Sequence, residues 1–268
     1  MSSKTIVITG ASSGIGAELA RQLGAEGHTL VLAARRGQEL ERVAADAVDR
    51  GSPRAVAVTA DVTSRADVEI LRDRAIDAFG GFDVWINNAG RGINRSVLDL
   101  SDADFDEMMD VNVRSALHGM QIAARHFLER GHGHIINVSS FLGRVPMALP
   151  RSAYNAAKAA LNSLTANLRV ELRAKNKDIY VTLVMPGMVA TDFAVNAVAA
   201  PPGTRAYSGP QVQSVEDVAT IIRGVIEQPV AEIYTNSASA EMARRYFENV
   251  EAFETASGNP WGSPPPRQ

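Results

Sequence analysis

The chain has no cysteine among its 268 residues. That excludes a disulfide framework, a thiolate nucleophile and a zinc site built on sulfur. It fits a reducing compartment, and a cytoplasmic protein is expected. Charge of one sign is also missing: 27 Lys and Arg stand against 30 Asp and Glu, for a formal net charge of −3. Such a balance leaves no basic footprint for nucleic acid or an anionic membrane. Long apolar runs are absent too. The best candidate, "IYVTLVMPGMVATDFAV", is cut by Pro186 and Gly187, short of the ~20 residues of a membrane span. "MSSKTIVITG" lacks the apolar region and cleavage site of a signal peptide. What is present is an ordinary globular composition, 46% hydrophobic and 21% charged, with enough apolar material for a sizeable core.

Short β-branched runs at 5–9, 29–34, 55–59, 83–87, 134–139, 179–185 and 231–235 alternate with helical stretches. The helices are expected over 14–26, 37–50, 64–79, 102–130, 152–175 and 215–228. Near-continuously apolar strands separated by helices predict a parallel sheet covered on both faces. With right-handed crossovers this is an α/β, doubly wound, Rossmann-type sheet of about seven strands. It forms one domain over 1–255, since no linker splits the early part of the chain. Residues 192–213 hold Pro201, Pro202, Gly203, Gly209 and Pro210 and are expected to form a substrate lid. The Pro/Gly/Ser-rich tail, 256–268, is expected outside the core, with Trp261 frayed.

The first strand runs into "TGASSGIG", with Gly10, Gly14 and Gly16 ahead of an amphipathic helix. Glycines permit a tight turn, and a helix N-terminus offers unpaired N–H groups to a phosphate. The strand before and the helix after are the context that gives such a turn meaning. Further along stand "NNAG" (87–90), Ser139–Ser140 after a strand, "YNAAK" (154–158) and Pro186–Gly187.

In these motifs, taken in order, the chain resembles the classical branch of the short-chain dehydrogenase/reductase family. TGxxxGxG matches Thr9–Gly16, NNAG matches Asn87–Gly90 and YxxxK matches Tyr154–Lys158. The resemblance implies an oxidoreductase exchanging a hydride between a nicotinamide dinucleotide and a carbonyl or alcohol carbon. It places Gly10, Ser12, Ser13, Gly14, Ile15 and Gly16 against the cofactor. Asp61 and Val62 would meet the adenine, although Asp61 or Thr63 could equally cap the helix at 64–79. Asn88, Ala89 and Gly90 lie at the carboxyl edge, where ligands bind in open α/β sheets, and a plain turn would favour the same residues. Pro186, Gly187, Val189 and Thr191 would meet the nicotinamide end, and Thr191 the phosphates as well.

The second strand ends "AARR". Ala34 stands where an NAD-type acid would bind the ribose, and Arg35 and Arg36 follow. Two guanidiniums suit a 2′-phosphate; a solvated pair opening the next helix is the plainer reading. NADP(H) is expected over NAD(H).

Tyr154 and Lys158 are four residues apart, hence on one helix face. On its own such a pair is common. Beside the other matches it has a chemical use: the ammonium would bring the phenol's acidity towards working range, making Tyr154 the general acid/base. The resemblance gives Lys158 a second task on the nicotinamide ribose. Ser140 is expected to donate to the substrate oxygen. It lies one residue further from the tyrosine than the family's usual spacing, with Ser139 as the alternative. Asn112 would hold a relay water for the lysine, or serve as a satisfied structural asparagine.

Phe141, Leu142, Val145, Met147, Leu149, Met188 and Phe193 are expected to face the substrate, pointing to a hydrophobic ketone, aldehyde or secondary alcohol. Arg91, Arg144 and Arg151 could instead read an anionic group. The acids of "SDADFDEMMD" (101–110) read as a capped helix start rather than a metal site, so no metal is expected. His132 and His134 read as surface residues. Helices 102–130 and 152–175 are apolar beyond one sheet face, and with the resemblance suggest a homodimer or homotetramer. A non-catalytic dinucleotide sensor on the same fold is the rival reading; it would need no proton donor.

Overall fold

The structure, a computed structural model, describes residues 3–257. Seven strands form one parallel sheet: β1 Thr5–Thr9, β2 Thr29–Ala34, β3 Ala55–Thr59, β4 Val84–Asn87, β5 Gly133–Val138, β6 Ile179–Met185 and β7 Glu232–Tyr234. Their order is β3-β2-β1-β4-β5-β6-β7. The winding reverses between β1 and β4, the point where doubly wound sheets open a ligand crevice.

The alternation along each strand sorts the core into two layers. Ile6 and Ile8 face one side with Leu30, Leu32, Val84 and Ile86. They are covered by α1 Gly14–Ala25, α2 Gly37–Asp49 and α7 Val215–Glu227. Val7, Val31 and Trp85 face the other side, under α3 Arg65–Phe79, α5 Ser115–Arg130 and α6 Ser152–Lys175. Among the described residues no helix is long and apolar enough to cross a membrane.

Four local features differ from the sequence reading. The helix expected over 102–130 is broken: α4 Asp102–Met109 and α5 are joined by a π-helical turn, Asp110–Arg114. There the Asn112 side-chain amide donates to the Met108 carbonyl at 3.1 Å, the acceptor an α-helical N–H at this position would use. The cap of α3 is Ser64, which accepts from Asp67 N–H, and neither Asp61 nor Thr63. His134 is buried rather than superficial, because β5 is a central strand covered on both faces; its Nε2 lies 2.9 Å from Thr182 Oγ1. Burial pushes its pKa down to about 3, so it is neutral at physiological pH. His132 is exposed, beside Asp83.

Beyond β7 the chain forms two helices the sequence pattern did not suggest, α8 Ser237–Glu248 and α9 Val250–Ser257. Asn236 caps α8 through Ala238 N–H at 2.8 Å. Ala243 and Phe253 pack on Phe141 and Val145, which brings the C-terminal segment over the carboxyl edge of the sheet. The tail from 258 onward, with Trp261, lies outside the described residues. Residues 192–213 contain no helix and no strand, as expected, and are pinned by Val198 N–H to the Gly92 carbonyl at 2.9 Å.

Candidate active site

A cleft of about 1640 Å³ runs along the carboxyl edge of the sheet. One end holds the turn between β1 and α1. Gly10 has φ +67°, and a Cβ placed there would lie 2.8 Å from the Ala89 Cα. A Cβ on Gly16 would fall 2.5 Å from both Asn88 Nδ2 and the Gly10 carbonyl. Any side chain at either position would push the turn off β4. Asn88 ties the turn down: its Nδ2 donates to the Thr9 carbonyl at 3.0 Å and to the Gly10 carbonyl at 3.2 Å. Thr9 Oγ1 accepts from the N–H groups of Asn88 and Ala89. The sequence motif contained Thr9 but did not reveal that role.

Several observations test the turn against a dinucleotide. Ser13 precedes α1 in extended conformation without a capping bond, and the first turn of α1 carries no acid. Its N–H groups are therefore left to an anion. Ser12, Ser13, Gly14 and Ile15 line the cleft, as do Arg35, Arg36, Asp61, Val62 and Gly90; Gly16 lies beneath the turn, packed on Asn88. Arg36 donates to Ser12 Oγ at 3.0 Å and to Ser13 Oγ at 2.6 Å. Among the described residues neither Arg35 nor Arg36 forms an ion pair with a carboxylate. The donor set fits a nicotinamide dinucleotide. Asp61 Oδ1 accepts from the Thr63 N–H and hydroxyl at 3.0 and 2.7 Å. Burial alone would raise its pKa, but these two bonds and the Arg35 charge outweigh it, and the carboxyl is held below its ordinary value.

At the other end α6 enters with Tyr154 and Lys158 on the face turned to β5. Both side chains are inside: Tyr154 is 6% exposed and Lys158 3%. Lys158 Nζ lies 5.7 Å from the centre of the phenol ring and donates to the Val138 carbonyl at 3.0 Å. Burial pushes the lysine down to about 8, still protonated at neutral pH. The net lowering of the phenol expected from Lys158 is not met, because burial dominates. Burial pushes Tyr154 up to about 12, against the opposing pull of the Ser140 hydroxyl and the Arg151 charge. The cause is desolvation, which a sequence does not display.

The two serines at the end of β5 separate cleanly. Ser139 gives its hydroxyl proton inward, to Asn162 Oδ1 at 2.5 Å and the Lys158 carbonyl at 3.3 Å. Ser140 Oγ accepts from Leu142 N–H at 3.1 Å, and its hydroxyl faces the cleft, hydrogen-bonded to the Tyr154 phenol. Asn112 is buried and clamps the backbone after Gly90: its Nδ2 donates to the Arg91 carbonyl at 2.9 Å and its Oδ1 accepts from Arg91 N–H. A Cβ on Gly90 would lie 3.0 Å from Asn112 Oδ1 and 3.5 Å from Lys158 Nζ. The asparagine, the glycine and the lysine thus share one corner. Pro186, Gly187, Val189 and Thr191 line the cleft between its two ends. Thr191 comes within 3.3 Å of a Cβ placed on Gly14.

Of the residues expected to face a substrate, Phe141, Leu142, Leu149, Met188 and Phe193 line the cleft. Val145 and Met147 do not. Val145 is fully buried with Phe141 and Phe253, and Met147 packs against the same group. Met242 and Ser239 from α8, and Tyr207 from the 192–213 segment, complete the wall. The sequence reading missed them because they follow the last recognisable motif; the Asn236 cap signal was the one available pointer to α8.

The family model described as short chain dehydrogenase matches residues 4–201. An uncharacterized oxidoreductase of Staphylococcus epidermidis is 36% identical over 188 residues, covering 70% of this chain and 79% of that protein. A short-chain dehydrogenase/reductase from Burkholderia phymatum in complex with NAD superposes with a TM-score of 0.83 at 29% identity, over 93% of this chain and 95% of that one. A short-chain dehydrogenase from Sphingobium yanoikuyae in complex with NADPH gives 0.77 at 25% identity, over 99% and 98%.

Proposed function

The chain belongs to the short-chain dehydrogenase family of oxidoreductases, and from that premise we propose that it is an NADP(H)-dependent enzyme interconverting a ketone or aldehyde and its alcohol. The observation that carries this reading is a buried, protonated phenol, Tyr154, sharing one cleft with the glycine turn. The dinucleotide would be held by Gly10, Ser12, Ser13, Gly14, Ile15 and Gly16 at the phosphates and by Asp61, Val62, Asn88, Ala89 and Gly90 along the adenosine half. Pro186, Gly187, Val189 and Thr191 would hold the far end, and Lys158 the ribose. When bound, the nicotinamide supplies or accepts the hydride at the carbonyl carbon.

The chain's own residues handle the oxygen. Ser140, beside Tyr154 in the cleft, donates to the carbonyl oxygen and stabilises the charge that grows there. Tyr154 then delivers its proton to that oxygen. A phenol held fully protonated is ready for the reductive direction without prior adjustment. Lys158 stabilises the phenolate left behind, and Asn112 holds the lysine's corner for reprotonation from solvent. The apolar wall excludes water from the site, the 192–213 segment closing over it. A dinucleotide sensor would need neither the phenol nor the serine beside it. The family habit of assembling through α4, α5 and α6 supports a homodimer or homotetramer, with Phe105, Leu128 and Val170 exposed on those helices.

Arg35 and Arg36 support NADP(H) over NAD(H). With hydrophobic ketones as substrates, kcat/KM with NADPH is expected to exceed that with NADH by roughly 10- to 100-fold. Arg36→Ala should erase most of that ratio. A preference for NADH in the unmodified protein would overturn the cofactor assignment.

A further inference from the structure

Of the three arginines that could read an anion, two are already paired. Arg91 forms an ion pair with Glu107, and Arg144 is bound to Glu232 and lies outside the cleft. Arg151 is different. It lines the cleft, is only 8% exposed, and among the described residues has no carboxylate partner. Its Nη1 donates to the Ile93 carbonyl and its Nη2 to the Tyr207 hydroxyl, each at 2.9 Å. Neutral acceptors satisfy two of the N–H groups but leave the charge unbalanced. Asp192, the acid lining the cleft from the neighbouring segment, makes no ion pair with it. A guanidinium buried without a counter-charge costs stability, and a cleft that holds one is built to receive an anion.

The position of that charge narrows what the anion belongs to. Arg151 lies three residues before Tyr154, and the two flank the same ring. The guanidinium carbon is 6.0 Å from the centre of the Phe193 ring, the Tyr154 ring centre is 5.3 Å from it, and the Arg151 charge reaches the phenol. The anion must therefore sit a few bonds from the carbon that Tyr154 serves. Leu142, Met188 and Met242 leave an apolar wall for the remainder of the molecule.

We propose that Arg151 is the specificity residue for a carboxylate, and that the substrate is an apolar carbonyl acid, or the corresponding hydroxy acid, rather than a neutral ketone. This rests on the reading of Tyr154 as proton donor and adds the substrate class. Tyr207 shares the guanidinium, so a bound carboxylate also meets the 192–213 segment.

The test pairs one acid with its own ester. For the protein with NADPH, kcat/KM for 4-phenyl-2-oxobutyrate is expected to exceed that for its ethyl ester by roughly 10- to 100-fold. Arg151→Gln should bring that ratio near unity, mainly through KM for the acid, and Arg151→Lys should restore part of it. Calorimetry provides a readout without turnover: 4-phenylbutyrate should bind the protein saturated with oxidised dinucleotide and lose at least about tenfold in affinity in Arg151→Gln. Equal rates on acid and ester, or an acid preference that survives Arg151→Gln, would overturn the proposal. So would a loss shared equally by acid and ester, the mark of a latch on Tyr207 alone. If neither compound turns over, the reaction reading falls by itself, and calorimetry still decides the carboxylate site. Binding lost in the variant upholds it, and absence of binding refutes it.

Discussion

Tyr154→Phe is expected to lower kcat by on the order of 100- to 10,000-fold, the usual worth of a positioned acid/base. The ring is held by packing, with Phe193 at 5.3 Å and Ile93, Met108 and Ala153 in the same buried cluster. Removing one oxygen leaves that packing in place. Dinucleotide affinity should change little, because the hydroxyl lies at the opposite end of the cleft from the glycine turn and the Arg35–Arg36 pair. The check is a single-turnover rate measured beside NADPH binding followed by fluorescence. Turnover within about tenfold of the unmodified protein would remove Tyr154 from the mechanism.

Lys158→Met is expected to separate stability from activity. The lysine is buried and held down to about 8 from an ordinary 10.5, so its charge is carried at a cost in the folded state. Below pH 8 both folded and unfolded chains bind the proton, and the cost is present in full. Between about 8 and 10.5 the unfolded chain still binds the proton while the folded one has released it, so stability rises with pH across that window. Above pH 10 the raised Tyr154 works the other way, since the folded phenol keeps a proton the unfolded one loses. Methionine removes the charge while keeping most of the volume. Allowing for the lost bond to the Val138 carbonyl, a net gain on the order of 1–2 kcal/mol is expected at pH 7, with the rise between pH 8 and 10.5 flattened. Turnover should fall at least about 100-fold. Urea unfolding at pH 7 and pH 10, with assays alongside, checks both halves. A destabilised but active variant would contradict them.

The sheet was legible because its strands are short apolar runs between helical periods. β1, β2, β3 and β6 begin and end where the pattern places them. β4 starts one residue late, at Val84, although the Asp83 backbone still bonds Thr5 and His134 on the two neighbouring strands. The break at Asn112 was hidden, since a side-chain bond to Met108 leaves no mark in an apolar periodicity. His134 deceived for a related reason: polarity suggests surface, but Thr182 on the next strand partners its Nε2 inside, while Nδ1 stays without a partner. At the site, the motifs gave the turn, the phenol and the lysine. They could not give what depends on burial and pairing. Ser139 is committed to Asn162 while Ser140 is not, the phenol is raised rather than lowered, and among the described residues one arginine of three has no carboxylate partner. Such facts arise between elements distant in sequence, and only the folded chain displays them.

The most direct measurement follows a label through one reaction. NADPH carrying deuterium at C4 of the nicotinamide, incubated with the protein and 4-phenyl-2-oxobutyrate, should yield a hydroxy acid with deuterium on the carbinol carbon, seen by mass spectrometry. A hydroxy acid carrying only protium at that carbon, formed while the labelled position is consumed, would contradict the account. So would the absence of any alcohol product across a panel of carbonyl compounds.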